Sequence, residues 1–273
     1  MGERLPRFNI AGCSGHRNSS PGNYTNLSNM NHVGIIPDGN RRYALRNKIE
    51  FIEGYFKGMD KIGEISNYFF NKGVKYVSVY ALSMENFTGR SEIELDTLLS
   101  VMGEFTNRVI SGYYQIPASI KFVGRTLILP ERMRRDIKKL EDFTKGKPNT
   151  LFIAVAYGGR HEVVDAVLKY INDELASFFD APLNTVVDKL EKIVHLDINE
   201  TNLAKYLYAD YQKVPYPDLI IRTGHAHRLS NFMLYEAAYS ELYFLDMMWP
   251  EVTTKDIDNI LEDYARVKHN IGK

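Results

Sequence analysis

The sequence predicts an α/β domain with a mostly parallel central sheet flanked by helices. Short apolar or β-branched runs alternate with amphipathic segments along most of the chain, and this alternation is typical of a parallel sheet covered by helices. The short runs are continuously apolar, as strands buried on both faces are. A hydrophobic fraction of 44% in 273 residues supplies a large core. One large domain is therefore expected, although the length also allows two small ones.

Six runs predict the strands of this sheet. In chain order they are His32–Ile36, Lys75–Ala81, Ser119–Val123, Leu151–Ala156, Asp218–Arg222 and Glu241–Phe244. The spacing of apolar residues between them predicts helices over Gly58–Lys72, Glu92–Tyr113, Glu131–Lys145, Glu162–Ala176 and Asn202–Tyr208. Ligands of such sheets bind beyond the carboxyl ends of the strands, so the residues that follow each strand are the candidates for a site.

The N-terminal segment and the composition limit the classes of protein to which this chain can belong. Residues Met1 to Asn31 are rich in Gly, Asn, Ser and Pro and lack an apolar stretch, so we expect a flexible arm before a domain spanning residues 32–273. The formal net charge of zero gives no indication of nucleic-acid binding. Cys13 is the single cysteine, which excludes a disulfide framework and fits a reducing compartment such as the cytoplasm. The longest apolar runs are shorter than the roughly 20 residues of a membrane-spanning helix.

The first polar cluster, Asp38-Gly39-Asn40-Arg41-Arg42, follows the first predicted strand and precedes a helical segment. A carboxylate, a glycine that lets backbone N–H groups approach a ligand, and two guanidinium groups suit a diphosphate with its metal ion. An ordinary β-to-α turn with Asp38 as the helix N-cap fits the spacing equally well, because Asp-Gly-Asn is common turn chemistry. The residues alone leave both interpretations open.

A second cluster begins at Arg222 and includes Arg228 and Ser230. Two arginines and a hydroxyl can hold a second phosphate-bearing group through bidentate and hydroxyl contacts. A solvated loop is the alternative, and it is less favoured because the cluster follows the apolar run Leu219-Ile220-Ile221 directly. The pattern therefore indicates a second anion site.

A hard cation is a further expectation. His227 and Glu241 could join Asp38 on Mg²⁺ if phosphate oxygens complete the coordination sphere, since carboxylates and an imidazole suit such a site. Taken singly, each of these residues is expected to be structural. The hypothesis of a metal site therefore requires that the side chains of Asp38, His227 and Glu241 lie close together.

Two more turns follow predicted strands. Ser83, Asn86 and Phe87 place a hydroxyl, an amide and an aromatic ring together, which suits a hydrocarbon with a polar head, although a structural role is the simpler interpretation. The turn from Tyr157 to Glu162 leads into a helix. There we expect a structural role, with Arg160 and Glu162 paired.

Taken together, five segments resemble the five signature regions of the cis-prenyltransferases, the family of undecaprenyl and dehydrodolichyl diphosphate synthases. The segments are Asp38–Ala44, Ser83–Phe87, Tyr157–Glu162, Pro217–Phe232 and Ala238–Pro250. They follow one another in the family's order between His32 and the C-terminus, which makes the resemblance specific.

The resemblance implies a Mg²⁺-dependent transferase that condenses isopentenyl diphosphate onto an allylic diphosphate and makes a polyprenyl diphosphate, the precursor of a glycosyl-carrier lipid. The allylic diphosphate would lie at the Asp38 loop, isopentenyl diphosphate at the Arg222–Ser230 loop, and the product in an apolar tunnel. Mg²⁺ would bind Asp38 with His227 and Glu241 nearby. The implied catalytic residues are Asp38, Arg42, Ser83 and Asn86. The implied substrate-binding residues are Gly39, Asn40, Arg41, Arg42, Tyr55, Phe87, Arg90, Arg222, Arg228 and Ser230.

The chain departs from the family pattern at both sites. Phe51 falls where many bacterial members have an arginine and Tyr55 where they have a histidine, so the allylic site has fewer cations. His225-Ala226 stands in place of the usual Gly-Glu pair. Asn270 takes the place of the arginine in the Arg-X-Gly that homodimeric members insert into a neighbour's isopentenyl site.

The resemblance also implies assembly as a dimer, either of identical chains or with a divergent subunit that supplies Arg-X-Gly. Strand Glu241–Phe244 and an apolar, tyrosine-rich helix around Asn231–Tyr239 would lie at the interface. Because the product would be a lipid, peripheral association with the cytoplasmic side of a membrane is expected.

Two rival functions remain open. An enzyme of the same fold that makes a short-chain or non-head-to-tail product is suggested by His225, Ala226 and Asn270. A non-catalytic regulatory subunit of a heteromeric synthase is the other rival. It is less favoured because such subunits usually lose the aspartate of the first motif, which here is Asp38.

Overall fold

The computed structural model describes residues 30–179 and 198–267 and confirms the α/β class. Within these ranges the strands are β1 (His32–Ile36), β2 (Tyr76–Ser83), β3 (Ala118–Val123), β4 (Asn149–Tyr157), β5 (Leu219–Arg222) and β6 (Glu241–Phe244). They form one parallel sheet in the order β3-β4-β2-β1-β5-β6. The arm predicted for residues 1–31 lies outside the described residues up to residue 29.

The predicted strands match the observed ones closely. β1 and β6 agree at both ends, whereas β2 runs two residues farther than predicted, to Ser83. At that end the pairing of β2 with β4 is irregular, with register shifts after Tyr80 and after Leu82. Polar Ser83 therefore still belongs to the sheet, because pairing with Tyr157 on β4 holds its backbone there.

The helices flank this sheet. They are α1 (Asn40–Asn47), α2 (Phe51–Asn71), α3 (Met84–Gly89), α4 (Glu92–Ile110), α5 (Glu131–Thr144), α6 (Gly159–Phe179), α7 (Glu200–Ala204) and α8 (Thr254–Tyr264). Single 3₁₀ turns occupy Thr126–Ile128, Glu236–Tyr239 and Trp249–Glu251. No helix in the described part of the chain is both long and apolar enough to cross a membrane.

Helix α2 begins seven residues before the predicted start at Gly58. Its first turns contain Gly54 and Gly58, which weaken a helical pattern in the sequence. Here they let α1 approach closely, since a Cβ at Gly58 would lie 2.2 Å from Oδ1 of Asn40 and one at Gly54 would lie 2.8 Å from the Asn40 carbonyl oxygen. The glycines are thus a packing requirement between two helices that position the site.

Two predicted helices are shorter than expected or missing. The segment predicted over Asn202–Tyr208 is helical only to Ala204 and continues as turns. The helix expected around Asn231–Tyr239 is wrong, because only Glu236–Tyr239 forms a 3₁₀ turn. Asn231 has φ +66° and Met233 has φ +46°, and this left-handed backbone is incompatible with an α-helix.

The core lies on both faces of the sheet. Alternate residues of the central strands, such as Val33 and Val77, pack with α2, α4, α5 and α8 in the larger core. The opposite face, with Ile36 and Ile220, packs against Phe232 and the segment around it. Buried Trp249 links the end of the sheet to α2 because its Nε1 donates to the carbonyl of Gly58 at 2.8 Å.

Candidate active site

A cavity of about 1070 Å³ opens at the carboxyl ends of β1, β2 and β5. Its polar lining comes from residues that follow these strands and from the starts of helices: Asp38, Gly39, Asn40, Arg41, Arg42, Ser83, Glu85, Asn86, Arg90, Arg160, Arg222, Arg228, Ser230 and Asn231. Its apolar lining comes mainly from α2 and α4: Met59, Ile62, Leu98, Val101, Met102 and Phe105. The cavity therefore joins a charged mouth to an apolar interior between two helices and the sheet.

The Asp38 loop is a tight turn from β1 into α1. The N–H of Asp38 donates to the carbonyl of Ile36 at 2.9 Å. Gly39 then adopts φ +109°, and a Cβ there would lie 2.9 Å from Cβ of Met248, so only glycine fits. Helix α1 begins at the next residue and directs its free N-terminal N–H groups to the mouth of the cavity.

The backbone carbonyl of Asp38 is tied to the fold. Its carbonyl oxygen accepts from Oγ1 of Thr223 at 2.7 Å and from the N–H of Trp249 at 3.0 Å. Because Gly224 has φ +80° and no Cβ, the two loops can approach each other here. The carboxylate is left one-third exposed in the mouth of the cavity.

The two predicted clusters meet at the Asp38 carboxylate. Nη2 of Arg42 lies 3.0 Å from Oδ1, and Nη2 of Arg222 lies 2.9 Å from Oδ2. The two arginines differ in exposure: the side chain of Arg42 is 44% exposed and that of Arg222 only 5%. Asp38 and Arg222, 184 positions apart in the sequence, thus form one charged centre.

Arg222 also organises its own loop. Its Nη1 donates to the carbonyl of Arg228 at 2.5 Å and to Oγ of Ser230 at 2.6 Å. Arg228 remains exposed and donates from Nε to the same Ser230 hydroxyl at 3.2 Å. The loop therefore has one buried arginine that holds its shape and one exposed arginine that is free to reach a ligand.

Ser83 ends β2 and Asn86 lies in the first turn of α3, and both line the cavity. Ser83 is the N-cap of α3, since its Oγ accepts from the N–H of Asn86 at 3.0 Å. The exposed Asn86 side chain lines the cavity, and Nη1 of Arg90 donates to the hydroxyl of Tyr55 at 2.8 Å. Phe87, predicted to bind substrate, packs against the hydrophobic core and does not line the cavity.

The residues predicted to bind metal do not converge in one chain. Glu241 opens β6 and is in register with Leu219, whereas Phe244 at the other end of β6 is in register with Arg222. Parallel pairing therefore puts Glu241 at the far end of the sheet from Asp38. His227 stacks on Phe244 with ring centroids 5.2 Å apart. Among the described residues no group of three His, Cys, Asp or Glu side chains is placed to hold a metal ion.

Asp38 by itself still fits a magnesium ion that is shared with a ligand. Mg²⁺ commonly takes one or two protein carboxylates and completes its sphere with water and substrate phosphates. The oxygens of Asp38 face the cavity, where they contact Arg42 and Arg222, and guanidinium groups are of the kind that binds phosphate. The donor set thus fits a metal that arrives with a diphosphate.

Among the charged and amide side chains that line the cavity, sequence reasoning missed three: Glu85, Arg160 and Asn231. The expected pair of Arg160 with Glu162 is wrong. Glu162 is buried, accepts from the hydroxyl of Tyr157 and from the N–H of Tyr208, and has its pKa raised to about 7 by burial. The available signal was position, because Glu85 and Arg160 directly follow the turns that end β2 and β4.

Comparison with known proteins identifies relatives along most of the chain. The family model described as "Putative undecaprenyl diphosphate synthase" matches residues 36–272. Curated relatives from Methanopyrus kandleri and Thermoplasma volcanium are named tritrans,polycis-undecaprenyl-diphosphate synthase (geranylgeranyl-diphosphate specific). They are 38% and 36% identical to this chain, with 89% of this chain and 84% and 88% of the relatives covered.

Solved structures agree with the fold. The lavandulyl diphosphate synthase from Lavandula x intermedia, solved in complex with dimethylallyl diphosphate, has a TM-score of 0.75 at 30% identity and covers 89% of this chain and 98% of its own. A structure from Campylobacter jejuni, described as a probable undecaprenyl diphosphate synthase, has a TM-score of 0.69 at 22% identity, with 89% and 99% covered. The second likeness shows the fold alone.

Proposed function

The chain belongs to the cis-prenyltransferase family, and we propose that it condenses isopentenyl diphosphate with an allylic diphosphate to make a polyprenyl diphosphate. The observation that carries this proposal is the meeting of Asp38, Arg42 and Arg222 at the mouth of a cavity with an apolar interior. The cavity exceeds the roughly 300–1,000 Å³ of ordinary ligand sites, which suits a long hydrocarbon attached to a diphosphate.

The allylic diphosphate binds at the Asp38 loop. The N-terminus of α1 offers unpaired backbone N–H groups, and a helix N-terminus favours an anion. Arg42 would exchange its contact with Asp38 for the diphosphate and stabilise the negative charge that develops as the allylic C–O bond breaks. Arg41 contributes less, because it is paired with Glu94 at 2.9 Å and lies over the ring of Phe51.

Isopentenyl diphosphate binds at the second loop through Arg228 and Ser230, with Arg222 behind them. Arg228 is the exposed cation of this loop, so it can turn to the ligand at low cost. Arg222 supplies a buried positive charge close to both diphosphates. The apolar interior keeps water from the allylic cation and receives the growing chain.

Mg²⁺ fits this scheme as an ion held by Asp38 together with diphosphate oxygens. When bound, it would neutralise the charge of the leaving diphosphate. Asn86 lines the wall between the two sites and would orient the reacting carbon atoms through its amide. Loss of a proton after carbon–carbon bond formation gives the new cis double bond.

We expect the enzyme to work as a dimer through the edge of the sheet at β6. Among the strands of residues 30–179 and 198–267, β6 pairs with β5 and ends the sheet, and Leu242 (41% exposed) and nearby Tyr239 (75%) give this edge an apolar character. Asn270, on which the choice between an identical and a divergent partner depends, lies outside the described residues. Because the product would be a lipid, the dimer would associate peripherally with a membrane.

Two alternative functions predict different results in an activity assay. The relationship to a lavandulyl diphosphate synthase makes a short-chain product the nearest alternative. A non-catalytic subunit is disfavoured because the chain keeps Asp38, Arg222 and Arg228 in contact with one another through the Asp38 carboxylate and the second loop.

The test is incubation of the purified protein with labelled isopentenyl diphosphate, Mg²⁺ and dimethylallyl, farnesyl or geranylgeranyl diphosphate, alone and with candidate partner chains. Product length is read by thin-layer chromatography and mass spectrometry. Long products support the proposal, while a single condensation supports the short-chain alternative. No incorporation with any starter or partner would refute both.

A further inference from the structure

Resting on the proposed function, we propose that Asn231 is a positioning residue that sets the second substrate loop in register with the wall that carries Asn86. It is not a catalytic residue. Asn231 stands next to Ser230, and the residue it binds, Glu85, stands next to Asn86. One side-chain amide therefore connects the two halves of the site.

Both ends of the Asn231 amide are used. Its Nδ2 donates to Oε1 of Glu85 at 2.7 Å, and its Oδ1 accepts from the N–H of Arg160 at 3.0 Å. Its backbone carbonyl accepts from the N–H of Gly159 at 2.6 Å. Asn231 thus fastens the second loop to the starts of α3 and α6, which follow β2 and β4.

The local backbone is built around this side chain. Asn231 has φ +66° and Ser230 has φ +49°, and residues other than glycine populate this region only sparsely. Asparagine tolerates it better than most residues. Gly158 leaves the necessary space, because a Cβ there would lie 2.6 Å from Nδ2 of Asn231.

The hydrogen bonds of Asn231 also fix the position of the neighbouring Ser230. The hydroxyl of Tyr80 donates to the carbonyl of Ser230 at 3.2 Å, and Oγ of Ser230 accepts from Arg222 and Arg228. If the Asn231 anchor is lost, the loop can relax out of the left-handed conformation and carry Ser230 and Arg228 away from the second diphosphate.

The amide must point its donor at Glu85. Partial burial works to raise the pKa of Glu85, but hydrogen bonds from its own backbone, Asn231 and Ser83 outweigh that effect and lower it, so Glu85 is ionised. An aspartate at position 231 would set two carboxylates against each other. A glutamine at position 85 would then restore a donor and acceptor pair in the reverse sense.

This reversal gives the experiment: wild type, Asn231→Asp, Glu85→Gln and the double variant, with Asn107→Asp on the exposed surface of α4 as a control for the added negative charge. We expect Asn231→Asp to lower kcat/KM for isopentenyl diphosphate by about 10- to 100-fold, mainly through KM. Glu85→Gln, which keeps an acceptor for Asn231, should lose only a few-fold. The double variant should recover at least about tenfold over Asn231→Asp.

A binding measurement separates this inference from the proposed function. The increase in Tm caused by inorganic pyrophosphate should follow the same order across the variants, whether or not prenyl transfer is detected. Circular dichroism reports folding. Near-normal KM in Asn231→Asp, or a double variant no better than Asn231→Asp in both KM and the pyrophosphate-induced Tm shift, would overturn the positioning role. Failure of wild type to transfer prenyl groups while the Tm order holds would count against the proposed function only.

Discussion

The two loops that meet at Asp38 are built in different ways. The first, residues 38–42, is a short turn into a helix whose arginines lie at the surface: the side chains of Arg41 and Arg42 are both 44% exposed. The second, residues 222–231, has a buried arginine, three left-handed residues other than glycine, and hydrogen bonds to β2, α3 and α6. The first loop is a local turn whose distant contacts are concentrated on Asp38, whereas the second is held at several residues by distant parts of the chain.

This difference separates binding residues from residues that shape the site. Exposed Arg42 and Arg228 can change partners when a diphosphate arrives, and their replacement should leave the fold intact. Buried Arg222 already donates to Asp38, Arg228 and Ser230, so its replacement should disturb both loops together. Each prediction below tests this division.

The largest expected effect comes from Asp38, the one residue that both loops share. Asp38→Ala should lower kcat by about 100-fold or more, the scale for losing a preorganised charge stabiliser. Asp38→Asn should be similarly inactive but fold like the wild type, because the backbone carbonyl that binds Thr223 and Trp249 is retained and the amide oxygen can still accept from Arg222.

The measurements are kcat at saturating substrates and thermal unfolding of both variants. Near-normal kcat in Asp38→Asn would contradict the assignment of the carboxylate. A large drop in Tm in that variant would show that Asp38 acts on the fold, and the contrast between the loops would need revision.

A second prediction sets Arg222→Lys against Arg42→Lys, since both keep the charge. Lysine cannot reproduce the three contacts of the Arg222 guanidinium, so Arg222→Lys should lower the free energy of unfolding by about 2–3 kcal/mol and also raise KM for isopentenyl diphosphate. Arg42→Lys should change the free energy of unfolding by less than about 1 kcal/mol, because its pair is exposed.

Denaturant titration and initial rates for each substrate check this pair. Arg42→Lys should act mainly on KM for the allylic substrate. Equal loss of stability in the two variants would contradict the contrast between a buried and an exposed arginine.

The sequence predicts local features of the two loops better than the contacts that join them. A run of mainly apolar residues predicted β1 to the residue, because burial on both faces leaves a plain pattern. The prediction of β6 was also correct to the residue, although its side chains are only partly buried or exposed. Asp38 and Arg222 could be singled out because each follows such a run. The contact of Arg222 with the Asp38 carboxylate depends on β5 lying beside β1. Strand order cannot be obtained from the periodicity of the sequence.

Three features that sequence reasoning did not foresee have the same origin. Glu241 directly precedes a recognisable apolar run, yet the direction of β6 puts it at the far end of the sheet from Asp38. Gly54 and Gly58 concealed the first turns of α2 because the helix uses them to approach α1. Asn231 falls within a predicted helix, and its side-chain role was not recognised because each of its side-chain partners is more than 70 positions away in the sequence.

A smaller effect is expected at Arg228, the exposed arginine of the second loop. Arg228→Ala should raise KM for isopentenyl diphosphate by about 10- to 100-fold, the equivalent of losing a charge-assisted phosphate contact. The Tm should stay unchanged, because within the described part of the chain the side chain contributes a single hydrogen bond, to Ser230. Steady-state kinetics and thermal unfolding test this, and a fall in Tm as large as that of Arg222→Lys would remove the distinction between the two arginines.

The smallest effect on activity is expected from the buried residues beneath the second loop, Tyr157, Glu162 and Glu236, where the expected effect is on the pH dependence of stability. The N–H of Met233 donates to the hydroxyl of Tyr157, which in turn bonds to buried Glu162. Burial raises the pKa of Glu162 to about 7, and burial next to Glu162 raises the pKa of Glu236 well above its usual value. The folded state therefore holds protons that the unfolded chain releases near pH 4.5.

The sign of the pH dependence follows. A carboxyl group with a raised pKa in the folded state contributes its full stability below the unfolded pKa and loses it as pH rises through the folded value. Glu162 should therefore contribute a fall of roughly 2–3 kcal/mol in the free energy of unfolding between pH 4.5 and about 7. Buried His32, whose pKa is lowered to about 4 mainly by burial, contributes in the opposite sense over the same range, so the contribution of the carboxyl pair is read from the difference between variants. Glu236→Gln should flatten this slope because the neutral amide removes the neighbouring charge, whereas Glu131→Gln on the exposed face of α5 should not. Denaturant titrations at several pH values give the dependence of the unfolding free energy on pH for both variants and the wild type. If this dependence were the same in all three, the buried carboxyl pair would not be its origin.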